Sequence, residues 1–198
     1  MARRLAMELL ANGLSSAKHH EDALAIREAE LSTRRRLGAD EASILVAQNN
    51  LACTYEQLGR NEEALQVRWD VYSGRLKLNG EEHERTLRAA NNYAHSLLIL
   101  RRFQEAKVVF RKIMPTERRV LGESHQLTLR TRWNYAEALY RDEGATLDDF
   151  REAVTTLEDV ASIARRVLGS ANPLTRWIEE GLRNARAALR AAEQSLNT

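Results

Sequence analysis

Asn49 and Asn91 stand 42 residues apart, and so do Arg88 and Arg130. A carboxamide donates to a peptide C=O and accepts from a peptide N–H, so asparagines at a fixed spacing can hold an extended backbone without reading its side chains. An arginine fork pairs with carboxylates. Other residues suggest chemistry by composition alone. Glu81-Glu82-His83-Glu84 has the residue types of a metal site, but adjacent residues on a turn cannot all face one ion, and no second His or Cys lies at ligand spacing. His19-His20 reads as a polar turn, and Cys53 as a small residue on a helix face. The chain has no phosphate-binding glycine loop, no Gly-x-Ser-x-Gly and no His-Glu-x-x-His. The expectation is a protein that is not an enzyme and carries neither metal nor cofactor.

Bulk properties point the same way. The 198 residues are 43% hydrophobic and 29% charged, with 30 basic and 28 acidic side chains and a formal net charge of +2. That balance gives no global drive towards nucleic acid or membranes. Two prolines suit a helical chain, and the single cysteine excludes an internal disulfide. No stretch approaches the roughly 18 continuous apolar residues of a membrane span. The opening Met1-Ala2-Arg3-Arg4-Leu5 continues amphipathically through Glu8, so it reads as a first helix and not as a signal peptide. The cytoplasm is the default location.

The elements that position these residues repeat. Gly38, Gly80 and Gly122 recur every 42 residues, and Gly169 follows 47 later. Each closes a long helical pattern, as a left-handed residue past a helix end would. Asp40, His83, His125 and Asn172-Pro173 stand where the next helices begin. Between the markers the apolar periodicity predicts helix pairs over 3–17 and 21–36, 42–58 and 62–78, 84–100 and 104–120, and 126–142 and 147–167. A last helix over 173–195 has no partner. Ala52, Ala94 and Ala136 take one position in the first helices, and Ala64, Ala106 and Ala153 one in the second. Small residues there let antiparallel helices approach closely. The units then span about 1–38, 39–80, 81–122 and 123–169, with a capping helix at 172–195, all one domain over 1–198. A pair cannot bury its apolar faces alone, so stacked pairs share one core. The runs Arg34-Arg35-Arg36, Arg118-Arg119 and Arg165-Arg166 close second helices and suit the helix dipole.

Asn49-Asn50-Leu51-Ala52, Tyr55, Gly59, Glu62-Glu63-Ala64 and the terminal Leu-Gly together resemble the tetratricopeptide repeat. The 42-residue period, against about 34 in the common form, resembles the kinesin light chain type. Gly80 to Thr86 and Gly122 to Thr128 match that type's linker, except that its His-Pro proline is missing after His83 and His125. The resemblance implies an all-α, right-handed solenoid of antiparallel helix pairs with a C-terminal capping helix. It also implies a concave wall built from the first helices. The ligand-facing positions would be Asn49, Cys53, Glu56 and Gln57; Asn91, His95, Leu98 and Ile99; and Trp133, Glu137, Tyr140 and Arg141. Glu8, Asn12, Ser15 and Ser16 take these places in the first unit, while Val46, Arg88 and Arg130 border the groove. Trp133 replaces the expected asparagine. Asn50, Asn92 and Asn134 point nearer the unit boundary and read as structural. Asn49 and Asn91 would equally suit bonds to a neighbouring helix, and Leu98 and Ile99 would equally suit a core.

The implied function is a protein-interaction scaffold or adaptor binding an extended peptide segment of a partner protein. The alternative is a structural subunit of a larger assembly that uses its convex or end surfaces, or a self-associating repeat with an empty groove. Neither a nucleic-acid partner nor membrane insertion is expected. Self-association through the C-terminal helix stays open.

Overall fold

The computed structural model describes residues 2–16 and 18–195, with the side chains of residues 2–5 and 16 left aside. Among the described residues the regular structure is helical: α1 (Ala2–Ser16), α2 (His20–Arg36), α3 (Glu41–Gln57), α4 (Asn61–Asn79), α5 (Glu84–Ile99), α6 (Phe103–Val120), α7 (Gln126–Arg141), α8 (Leu147–Leu168) and α9 (Pro173–Ser195). The spans agree with those expected from periodicity to within one residue at each end. The expected last residue of the first helix, Ala17, lies outside the described residues.

Side-chain caps mark the starts of α3, α5, α7, α8 and α9. The Asp40 side chain accepts from Ser43 N at 2.8 Å, and Asn172 Oδ1 accepts from Leu174 N at 2.9 Å. His125 Nδ1 accepts from Leu127 N at 3.2 Å, and His83 Nδ1 from Arg85 N at 3.1 Å. With its ring used this way, His83 belongs to a turn, and no three His, Cys, Asp or Glu side chains gather for a metal among the described residues. Thr146 and Asp149 form a reciprocal capping box at the start of α8, which periodicity alone does not reveal. The helix ends differ from expectation at Gly80 and Gly169. Both have φ 81°, but ψ is 170° and 159°. The backbone turns outward into an extended, glycine-only region and not into the left-handed helical one.

The chain forms two compact units, one up to Ser96 and one from Leu97 onward. In the N-terminal unit α1, α2, α3 and α4 pack in succession. Leu24, Leu31, Ala47 and Leu51 form one core cluster there, flanked by Ile44, Tyr55 and Leu58. The α5 segment joins α4 through Trp69 and Tyr93, whose rings lie 5.2 Å apart, and through the Thr86 hydroxyl, which donates to Arg75 O at 3.1 Å. In the C-terminal unit α6 to α9 pack in succession, and α9 also rests on α7. Phe110, Leu129, Leu139, Leu157 and Ile178 fill its core. The repeated alanines Ala52, Ala94 and Ala136, and Ala64, Ala106 and Ala153, are all fully buried. A larger side chain at any of them would overpack a helix pair at a cost of about 1–3 kcal/mol. No helix among the described residues is long and apolar enough to cross a membrane.

Candidate functional site

Three of the expected groove residues on α3 are held by one cation that the sequence reading did not single out. Arg68, on α4, is 5% exposed. Its Nη1 donates to Asn49 Oδ1 at 2.5 Å, and its Nη2 to Glu56 Oε2 at 3.1 Å and Cys53 Sγ at 3.1 Å. The Ser96 hydroxyl donates to Glu56 Oε1 at 2.8 Å, and Asn92 Nδ2 to Asn49 Oδ1 at 3.3 Å. One guanidinium fork therefore sets the rotamers of successive α3 side chains and ties them to α5. Such a fixed amide and carboxylate row is pre-organised, so little side-chain entropy is lost if a ligand meets it.

Beside this row is a cavity of about 320 Å³ between α3, α4 and α5. Leu45, Val46 and Asn49 line it from α3, Val71 and Arg75 from α4, and Arg85, Arg88, Ala89 and Asn92 from α5. Arg75 is 5% exposed, with Nη2 donating to Ala42 O at 3.1 Å and Nη1 buried without a hydrogen-bond partner. Burial first, and then the Arg85 charge, pull its pKa below the ordinary arginine value, against a smaller pull from Asp40. Arg88 is exposed and paired with Glu84 one helical turn away. Of the expected residues, Val46, Asn49 and Arg88 line the cavity, and Glu56 is tied to Asn49 through Arg68. Asn91 does not line it: it is 1% exposed, and Asn92 takes the facing position instead. His95 is exposed.

In the C-terminal unit the expected residues meet α9. Trp133 stacks on Trp177, with ring centroids 6.1 Å apart and planes at 18°. Gly181 makes the approach: a Cβ there would lie 2.9 Å from Trp133 Nε1. The Tyr140 hydroxyl is pushed up to about 12, by burial first and then by the Glu137 charge, against a hydrogen bond with Asn184 on α9. Glu137 pairs with Arg141 at 2.5 Å, and the Arg141 guanidinium lies 5.6 Å from the Phe103 ring centre. Arg130 is half-buried near Glu117, and Leu98 is buried and serves the core.

The tetratricopeptide repeat family model matches residues 44–85 and 86–127, two consecutive 42-residue stretches that run from the first turn of α3 past the end of α6. Solved structures agree. Two crystal structures from Podosopora anserina, of a candidate kinesin light chain with nearly identical TPR-like repeats, one of them a point-substituted form, superpose with TM-scores of 0.80 and 0.78. Each is 21% identical, and the match covers 98% of this chain and 90% of that one. BtubC (BKLC) from P. vanneervenii superposes with a TM-score of 0.71 at 17% identity, over 96% of this chain and 80% of that one. Residues 44–127 are thus matched as tetratricopeptide repeats. The superposition shows the fold, the all-α solenoid of helix pairs expected from the repeat pattern, and the 42-residue units are similar to those of the kinesin light chain-like structures. No curated protein sequence matches it.

The tetratricopeptide frame shows which signal could have revealed Arg68. It lies four residues after the small Ala64, a core position that Phe110 and Leu157 occupy after Ala106 and Ala153. Arg27 takes the same place after Ala23 and donates to Asn12 Oδ1 at 2.5 Å. A charged residue in a core register, facing polar residues on the first helix, marks the two N-terminal repeats. Arg75 has a similar signal, standing where Ala164 stands later.

Proposed function

We propose that this tetratricopeptide chain is a protein-interaction scaffold that holds an extended segment of a partner protein against the first helices of its repeats. The observation carrying this reading is the open cavity beside Asn49, whose amide is held by Arg68, and Asn92, whose amide donates to Asn49. Amides fixed at a helix face can bond a peptide backbone, and Val46 and Val71 offer apolar contact next to them. The site residues in this reading are Asn49, Glu56, Arg88 and Asn92, with His95, Arg130, Trp133, Glu137, Tyr140 and Arg141 on the first helices of later repeats.

Selecting peptides from a display library on the intact protein tests it. A photo-crosslinking side chain is then placed at Val46, which is exposed and lines the cavity, or at Val108, which is exposed on the second helix α6. Selected peptides should crosslink at Val46 and not at Val108. Crosslinks confined to Val108, or a selection that returns nothing, would reject it. A second reading, a structural subunit of an assembly, is favoured by the exposed pair Leu9 and Leu10 on α1. It expects changes at Leu9 and Leu10, and not at Asn92, to abolish association.

A further inference from the structure

Among the first helices of the repeats, α1 stands apart in what covers it. Ala6 and Leu10 hold the places on α1 that Ala47 and Leu51 hold on α3. On α3 those two residues are buried in one cluster with Leu24 and Leu31 of α2. On α1 no helix among the described residues lies on that face: Ala6 is exposed, Leu10 is 56% exposed and its neighbour Leu9 is 61% exposed. Each residue advances about 100° round a helix, so Ala6, Leu9, Leu10 and Gly13 share one stripe, and Glu8 lies on the far side. Gly13 is a second sign. A glycine inside a helix weakens it, yet a Cβ at Gly13 would meet nothing within 4 Å in this chain. The packing of its own unit therefore gives no reason for a glycine there, whereas a second backbone drawn close to α1 does.

We infer that this stripe is the contact between two copies of the chain, with their α1 helices antiparallel across a twofold axis. The stripe is its own complement. It has the same order of sizes from either end, so antiparallel α1 helices set Ala6 of one copy against Gly13 of the other, and Leu9 against Leu10. The small pairs at both ends let the backbones approach, and the four leucines close the middle. The last helix does not fit the same stripe. On α7, Leu129 and Ala136 are buried, but their counterparts on α9 are Arg176 and Arg183, both exposed. An apolar α1 laid on those arginines would strip their water and give no partner in return. Head-to-tail stacking of copies is thereby disfavoured, and the α1 stripe is left to meet itself in a closed pair. The inference goes beyond the scaffold reading and is independent of it, since no residue of the stripe lines the cavity between α3, α4 and α5. One helix pair is smaller than a standard interface, so the dimer should form in the micromolar range.

The test is analytical ultracentrifugation of the whole chain over a concentration series. The mass should rise from that of one chain to that of two and stop there. A Leu9→Gln, Leu10→Gln double variant, changed only at exposed positions, should keep its helix content by circular dichroism and stay monomeric. Gly13→Leu separates a fitted contact from mere stickiness: it adds apolar surface, yet it should weaken association about tenfold or more because the backbones can no longer approach. Val108→Gln, at an exposed position on α6, should change nothing. Orientation is read by oxidative crosslinking in a Cys53→Ser background. Ala6→Cys mixed with Gly13→Cys should give a disulfide-linked dimer, and either variant alone should give far less. A chain that stays monomeric throughout overturns the inference, and so does a dimer untouched by the double variant. A Gly13→Leu protein that associates more tightly overturns it as well. Efficient crosslinking of either cysteine variant alone points to parallel helices and rejects the twofold pairing, and a mass that keeps growing beyond two chains rejects the closed pair.

Discussion

Arg68 Nη1 donates to Asn49 Oδ1 at 2.5 Å, while the same guanidinium pairs with Glu56 at 3.1 Å. The α3 face that carries the candidate site is thus set from behind, by a buried charge on α4. Arg68→Met keeps the apolar volume of the stem and removes both bonds. Glu56 is then left partly buried without its cation. We expect a loss of about 2–4 kcal/mol in urea unfolding, below the upper range for buried pairs because Glu56 retains some solvent. Peptide crosslinking at Val46 should fall as well, since Asn49 and Glu56 lose their fixed rotamers.

Gly181 and Trp133 govern the closure of the C-terminal unit. Gly181→Leu places a branched side chain where even a Cβ would meet the indole at 2.9 Å. The Trp133–Trp177 stack must open, at about 1–3 kcal/mol. The midpoint of thermal unfolding should fall, and tryptophan emission should shift to the red as Trp133 meets water. An unchanged emission maximum would contradict the packing described.

Glu117 on α6 is fully buried, and its carboxyl is pushed up to about 8, by burial first, with the hydrogen bond from Thr131 and the Arg130 charge opposing. The native protein then holds this proton up to about pH 8, whereas the unfolded chain releases it near the ordinary value of 4.5. Between those values the folded state binds more protons, so this group lowers stability as pH rises through the window. Below pH 4.5 its contribution is flat, and above about 8 the full cost is present. Glu117→Gln removes the titration. The stability difference, variant minus wild type, should grow with pH by roughly 5 kcal/mol across the window and then level off. Taking the difference cancels the exposed acids that titrate in both proteins. A pH-independent difference would count against it.

Arg101 has φ 60° in the turn between α5 and α6. Gly59, one repeat earlier, occupies the matching turn at φ 72° without steric cost. Arg101→Gly should therefore stabilise the protein, by about 0.5–1 kcal/mol, because a side chain in the left-handed region is strained. The lost pair with Glu143 is solvent-exposed and offsets little. Differential scanning calorimetry should show a higher unfolding midpoint.

The helices and their ends were legible in the chain because their causes are local. Asp40, Asn172 and Pro173 mark starts through bonds made within a few residues, and apolar periodicity carries through each helix. The buried alanines Ala52, Ala94 and Ala136 were legible because a 42-residue repeat makes one close approach recur. The facing of individual polar residues was not. Successive residues on a helix point about 100° apart, so a small rotation of α5 decides that Asn92 lines the cavity while Asn91 is sealed at 1% exposure. That rotation comes from how α5 packs on α4, through Trp69 with Tyr93 and Thr86 with Arg75. The role of Arg68 and the covering of Trp133 by α9 likewise depend on side chains 19 and 44 residues distant in sequence. The amino-acid sequence by itself determined the repeat, its helices and the small residues that let them pack, because those rest on local spacing. Which first-helix residues stand open to a partner, and which are closed by a neighbour, was decided only by tertiary structure, because burial is a property of what packs on top.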